Sequence, residues 1–358
     1  MGTRTDTRLL GLAIAAALLG GCQQLGPRSL AAGRSAYNDV IARTGSEQTL
    51  DLIVRMRYAD PIGLLTVSSV TANMQFAAKA EGQAGIGPES SYAGNLVPFA
   101  GGITYEDNPT ISYTPVDGQA FLGGWLTPVS LDVLALALQT GGATRTRLSL
   151  LVHDMNGLRS GRSAKPSQRA DFARAAELIA GLQKLDIATW VQRPTPPGGY
   201  ALLLSDYAPD HSAEVAELLG LFGLKRDLRR AEALEIPLVL GVRMPGFDGL
   251  AVATRSIAEI LIDAAWDVEV PDEHVQAGVV AASEPMPADG RPILRVHASR
   301  KAPRGANVAI RHRGWWFYID DADLPSKHLF GDIQMLFLSR LSDVSRSQPA
   351  PVLTIPVK

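Results

Sequence analysis

One cysteine, Cys22, occurs in 358 residues, and a lone thiol cannot make an intramolecular disulfide. Whatever this chain folds into is held by buried apolar surface and hydrogen bonds, not by cross-links. The place of that cysteine also bears on where the chain ends up. Arg4 and Arg8 precede an apolar run from Leu9 to Leu19, followed by Gly20, Gly21 and Cys22. A short basic head, an apolar run well under the roughly 18 residues of a membrane span, and small residues before a cut site describe a secretory signal peptide. Residues 1–21 are therefore expected to be a leader. Residues 22–33, polar and broken by Pro27, are expected to be a tether.

Leu19-Gly20-Gly21-Cys22 resembles the lipobox of bacterial type II signal peptides. That resemblance implies that Cys22 becomes the lipidated first residue of the mature chain, carrying palmitate-type acyl groups. Several acyl chains supply the two or more signals that stable membrane attachment requires. An aspartate after the cysteine favours inner-membrane retention in enterobacterial lipoproteins. Gln23 at that place implies the periplasmic face of the cell outer membrane.

Beyond the leader the chain reads as a folded globular protein, with 46 % apolar and 20 % charged residues. A net charge of -2 leaves no basic footprint, so no nucleic-acid partner is expected. Two α+β regions are expected, 34–205 and 206–358, with mixed or antiparallel sheets and packed helices. Helices are predicted over Arg34–Arg43, then from Ser46 with Leu50, Ile53 and Val54 inward and Arg55 and Arg57 outside that stripe. Asp60-Pro61 ends the second, because the residue before proline avoids the helical region.

Leu64–Phe76 reads as strand or helix, strand being the better fit, and Glu81–Gly102 as a long loop or a mobile flap. Thr110–Val116 and Gly118–Leu122 read as strands around an Asp117-Gly118 turn. The pattern continues with a helix Val129–Gln139, a strand Arg147–His153 and a solvated basic loop Arg159–Arg169. A helix Ala170–Leu185 and a hairpin Ile187–Val191/Tyr200–Leu204 follow. Strand–loop–helix–strand then recurs between Ile236 and Val270, after a helix Ser212–Phe222. The C-terminal part predicts strands Ile293–His297, Val308–Arg313 and Trp315–Ile319, a helix Pro325–Leu341 and a strand Val352–Val357.

The most promising surface is the hairpin around Arg313-Gly314. Alternation places Trp315, Phe317 and Ile319 on one face and Trp316 and Tyr318 on the other. With Arg311 and Arg313 nearby, the residues expected to meet a partner are Arg311, Arg313, Trp315, Trp316 and Tyr318. Asp320, Asp321 and Asp323 gather before a helix, where carboxylates complement orphan amides and the dipole. Six scattered histidines lack metal-ligand spacing, so no metal and no cofactor is expected. G-x-S-x-G and S-x-x-K are missing after the leader, and no Walker A pair occurs.

The segments Tyr37-Asn38, Arg55-Met56-Arg57-Tyr58-Ala59-Asp60-Pro61, Thr254-Arg255-Ser256-Ile257, Arg313-Gly314-Trp315-Trp316 and Pro351–Val357 together resemble a group of proteobacterial lipoproteins. No activity attaches to that group, so the resemblance implies no catalytic residue. The expected function is a non-enzymatic binding or envelope-assembly component, fixed to the membrane by its lipid and meeting another envelope protein or a cell-wall component. One alternative is an envelope hydrolase or transferase acting on peptidoglycan or glycan, with Asp320, Asp321, Asp323 or His153 in its site. The other is a small-molecule binding lipoprotein.

Overall fold

A computed structural model describes residues 38–71, 74–81, 100–107, 110–115, 118–139, 143–193, 199–207, 209–228, 233–283, 294–347 and 353–356. Cys22, the leader, the tether, Tyr37, Asp117 and most of the Glu81–Gly102 segment lie outside these residues. The fold is α+β, as expected, and divides into two compact units that each draw on separated stretches of chain. These units do not coincide with 34–205 and 206–358. A six-stranded sheet joins strands from both sides of residue 205.

The larger unit begins with helix α1, residues 38–57. It runs straight through Gly45-Ser46, where a break was expected. Ser46 and Thr49 turn their hydroxyls onto the carbonyls of Ala42 and Gly45 inside the helix. Leu50, Ile53 and Val54 are fully buried, as expected, whereas Val40 and Ile41 are 48 % and 37 % exposed. Helix α3 (Leu131–Gln139) follows Ser130, whose hydroxyl accepts the Val133 amide.

Residues Arg147–His153, expected as a strand, fold instead mostly as helix α4 (Thr144–Leu151), with strand β5 starting at Val152 (Val152–Met155). Thr144, Leu148 and Leu151 are buried at helical spacing, and that periodicity outweighs the apolar run. β5 turns at Asn156-Gly157, both at positive φ, into strand β6 (Leu158–Arg159). Helix α5 (Pro166–Lys184) starts inside the expected basic loop, with Pro166 in its first turn, and buries Phe172, Ala176, Ile179 and Leu182.

Strands β7 (Ala188–Gln192) and β8 (Tyr200–Ser205) form the expected hairpin. Helix α6 (Ser212–Leu221) and strand β9 (Ala233–Leu240) follow. Strand β10 (Leu250–Thr254) occupies part of what reads in the sequence as loop and helix start. The sheet order is β6-β5-β10-β9-β8-β7, with β10 and β9 parallel and the other pairs antiparallel. Helix α7 (Ile257–Trp266) and the short helix α8 (Asp272–Gln276) lead to strands β11 (His297–Ser299), β12 (Ala306–His312) and β13 (Trp315–Asp320). These last three form an antiparallel sheet ordered β11-β13-β12.

Arg255, 4 % exposed, ties distant parts of this unit together. Its guanidinium donates to the carbonyls of Ser149 (2.5 Å) and Leu150 (3.2 Å) near the end of α4 and to the Ser160 hydroxyl (2.7 Å). Its Nε lies 3.5 Å from Asp263. A cation at a helix C-terminus meets both unpaired carbonyls and the negative end of the dipole. Gly161 is at φ +92°, and a Cβ there would sit 2.9 Å from Arg255 Nη2, so the guanidinium requires glycine beneath it.

The smaller unit contains strands β1 (Leu65–Thr71), β2 (Met74–Glu81), β3 (Ala100–Asp107) and β4 (Thr110–Pro115) and helix α2 (Gly118–Leu126). Gly118–Leu122 is therefore helical where a strand was expected. The stretch holds no β-branched residue, and Trp125 stacks edge-on against Phe337, 6.1 Å between ring centres. β1 and strand β14 (Leu353–Pro356) flank β4, and β2 pairs with β3. Helix α9 (Leu324–Ser347) belongs to the larger unit up to Gln334 and to the smaller one beyond it.

Candidate functional site

The site grows from the end of α1. Asp60 donates its amide to the Arg55 carbonyl and Ala59 to that of Met56, with Ala59 left-handed at φ 53°. This pair of bonds is a Schellman closure, and it turns the Asp60 side chain towards the β12–β13 hairpin. His312 Nε2 lies 2.9 Å from Asp60 Oδ2, and Arg313 reaches both carboxylate oxygens, at 2.5 and 3.1 Å. The Arg313 fork, ahead of the His312 contact, holds the Asp60 carboxyl below the usual range. Burial pushes His312 below the ordinary imidazole value, against the pull of Asp60.

Tyr58 is the hub of these contacts. Its ring meets Phe317 (6.0 Å), His312 (5.3 Å) and His274 (5.6 Å), and the Arg313 guanidinium stands 5.4 Å from its centre. Burial raises its hydroxyl to about 12. The Tyr58 hydroxyl lies 2.8 Å from His274 Nδ1, within hydrogen-bond reach, and the imidazole tautomer sets which of the two donates. On the far side of His274, Trp315 donates its indole N–H to Glu273, which also pairs with Arg300. Arg300 lies 5.0 Å over the Trp315 ring.

The hairpin closes through Arg313-Gly314, at φ 48° and 84°, the double positive φ of a two-residue turn that follows strand twist. Alternation is as expected for β13: Phe317 and Ile319 are fully buried, and Trp316 and Tyr318 are half-buried on the other face. Arg311, exposed, lies directly across from Trp316 in the register. His297, across from Tyr318 on β11, stacks on it at 5.5 Å and pairs with Glu269 at 2.9 Å. Of the five expected partner residues, three thus share one outer face: Arg311, Trp316 and Tyr318. Arg313 is instead held in the turn by Asp60, and Trp315 sits with His274, Glu273 and Arg300.

The aspartates expected at a helix start are used there. Asp323 caps α9, accepting the Ser326 amide (3.2 Å) and hydroxyl (2.8 Å) and an Arg295 N–H (3.1 Å). Desolvation opposes its ionisation, but the Ser326 and Arg295 hydrogen bonds prevail and hold it below the usual carboxylate range. Asp320 accepts the Ala322 amide, and Asp321 pairs with Lys327 at 2.6 Å. His153 lies within β5 beside Asp154, which is tied to the Gly157 amide and to Arg159. The basic loop is less solvated than expected. Arg162 pairs with buried Asp267 (2.8 Å), and Arg169 donates to the carbonyls of Arg162 and Ala164. Among the described residues no group of three His, Cys, Asp or Glu is arranged to hold a metal ion.

Sequence reasoning missed Tyr58, Asp60, His274 and Arg57. A signal existed for Arg57, placed outside the α1 stripe but 8 % exposed in the structure. It follows Leu50, Ile53 and Val54 at i+7, i+4 and i+3, squarely on the buried stripe. The contacts of Asp60 with His312 and Arg313 span some 250 positions of sequence, and no local pattern announces them. No protein-family model, no curated protein and no solved structure matches this chain.

Proposed function

We propose that this protein is a lipid-anchored, non-enzymatic component of the bacterial outer membrane, facing the periplasm, that docks another envelope protein on the outer face of the β11–β13–β12 sheet. One observation carries the reading: Trp316 and Tyr318 stand half-buried beside exposed Arg311 on a face opposite the packed one. Tryptophan, tyrosine and arginine are the residues in which interface binding energy concentrates. Each brings a large contact area and a polar tip that a partner can satisfy. The reading is further supported by the use of Asp320, Asp321 and Asp323 in capping and pairing, which leaves them poorly suited to general acid–base work.

The anchor part of the proposal rests on Cys22. In the native host, Cys22→Ala is expected to abolish fatty-acid labelling and to release the protein from the membrane fraction. The docking part is tested by crosslinking in intact cells. Trp316→Ala and Arg311→Ala should each lose a protein adduct that the wild type forms, at unchanged abundance. Continued labelling without Cys22 defeats the first part, and an unchanged adduct pattern defeats the second.

A further inference from the structure

Arg57 is a charge buried without a counter-charge. Its Nη2 donates to the Ala281 carbonyl at 2.7 Å, and its Nε is buried with no hydrogen-bond partner. Among the described residues no carboxylate pairs with it, and the ionised side chain acting on it is the like-charged Arg162. What supports the guanidinium is a ring: its carbon stands 4.8 Å over Trp266, and Arg162 approaches the same indole at 5.8 Å. Arg162 is neutralised by Asp267, so the cation left over is Arg57. Burying a cation is costly unless it is paired, and a guanidinium cannot escape by losing its proton. Such a group is stable where it has a use or a ligand.

The space beside it fits a ligand. Arg57 lines an open depression of about 740 Å³, the size of small-molecule sites. Its other walls are mostly apolar, among them Met56, Ile262, Trp266, Val279 and Val280. Ile262 and Val279 remain 46 % and 38 % exposed. An apolar hollow with a single cation in its wall is complementary to a molecule that joins one anionic head to an apolar body. The guanidinium fork matches the oxygens of a carboxylate or a phosphate.

We propose that this depression binds a single-chain anionic amphiphile, with its carboxylate or phosphate on Arg57 and its alkyl part against Trp266, Ile262 and Val279. The site is separate from the Trp316 face and does not depend on the docking proposal.

The test is calorimetric titration of the full-length chain carrying Cys22→Ala, so that no attached acyl group competes. Decanoate, decyl phosphate, decanol and inorganic phosphate are each added below any micelle concentration. One-to-one binding of decanoate or decyl phosphate is expected, and the tighter of the two assigns the head group. Decanol, which has the chain without the charge, should bind at least about tenfold more weakly. Inorganic phosphate should show no heat. Arg57→Met should weaken decanoate binding about tenfold or more. Ile262→Glu, at a position 46 % exposed, should do the same if the buried variant does not fold. Trp316→Ala should leave the affinity unchanged. Decanol binding as tightly as decanoate, or decanoate binding indifferent to Ile262→Glu, overturns the proposal.

Discussion

At the scale of single residues, the site depends on where one helix stops. Ala59 takes the left-handed conformation that closes α1, a conformation that costs an L-residue about 1–2 kcal/mol and glycine less, offset by glycine's greater unfolded-state entropy of about 0.5–1 kcal/mol. Ala59→Gly is therefore expected to raise stability by about 0.5 kcal/mol; urea unfolding measures it, and a loss would mean that the methyl group packs usefully. His312 gives a second expectation, this time about pH. Desolvation lowers its proton affinity below 6.5, against Asp60, while Arg55 repels and Asp51 attracts the added charge. The folded state thus prefers the neutral ring. Its contribution is complete above about 6.5 and is lost as pH falls through the depressed folded value. Asp60, also depressed, adds a loss of the same sign at more acidic pH, below its ordinary 3.8. Unfolding midpoints should fall as pH drops below about 6.5, and His312→Gln should flatten the upper part of that fall. An unchanged slope in the variant would assign the effect to another group.

At the scale of elements, β13 separates a packing face from a free one within six residues. Phe317 is fully buried, and Phe317→Ala should cost about 3–5 kcal/mol. Trp316→Ala, its neighbour on the other face, should cost under about 1 kcal/mol while abolishing partner capture; chemical denaturation of the two variants side by side checks the contrast. Equal losses would place Trp316 in the core and remove the docking face. This alternation is legible in the sequence because a strand's period is two and the run Trp315–Ile319 leaves no other arrangement. Other elements were harder to read. Leu148–Val152 is apolar enough to pass for a strand, and only the spacing of Thr144, Leu148 and Leu151 marks the helix. Asn156-Gly157 is a hairpin signal in its own right, but the strands on either side are four and two residues long. The outer aromatic face was readable residue by residue. Which of its neighbours would be diverted was not, because Arg313 answers to Asp60 and Trp315 to Glu273, both distant in sequence.

At the scale of the whole molecule, the fold is interleaved. β5 and β10 are neighbours in the sheet though about a hundred residues apart, and β14 returns the chain end to β4. Arg255 sits at such a crossing, binding α4 carbonyls, Ser160 and Asp263 at once. Arg255→Met should cost about 3 kcal/mol or more, because two carbonyls and the Ser160 hydroxyl lose a donor that is itself buried. Arg255→Lys should recover little, since an ammonium cannot span those acceptors. Thermal unfolding reads both, and full rescue by lysine would show that charge alone suffices. The place of β10 between β5 and β9 also has a consequence for synthesis. A ribosome releasing this chain from its first residue delivers β5, β7, β8 and β9 while the slot between β5 and β9 stays vacant. Native closure waits until Thr254 has emerged, and pairings between such distant segments form slowly. Until then the six-stranded sheet exists as two parts, β6-β5 and β9-β8-β7, without the strand that joins them.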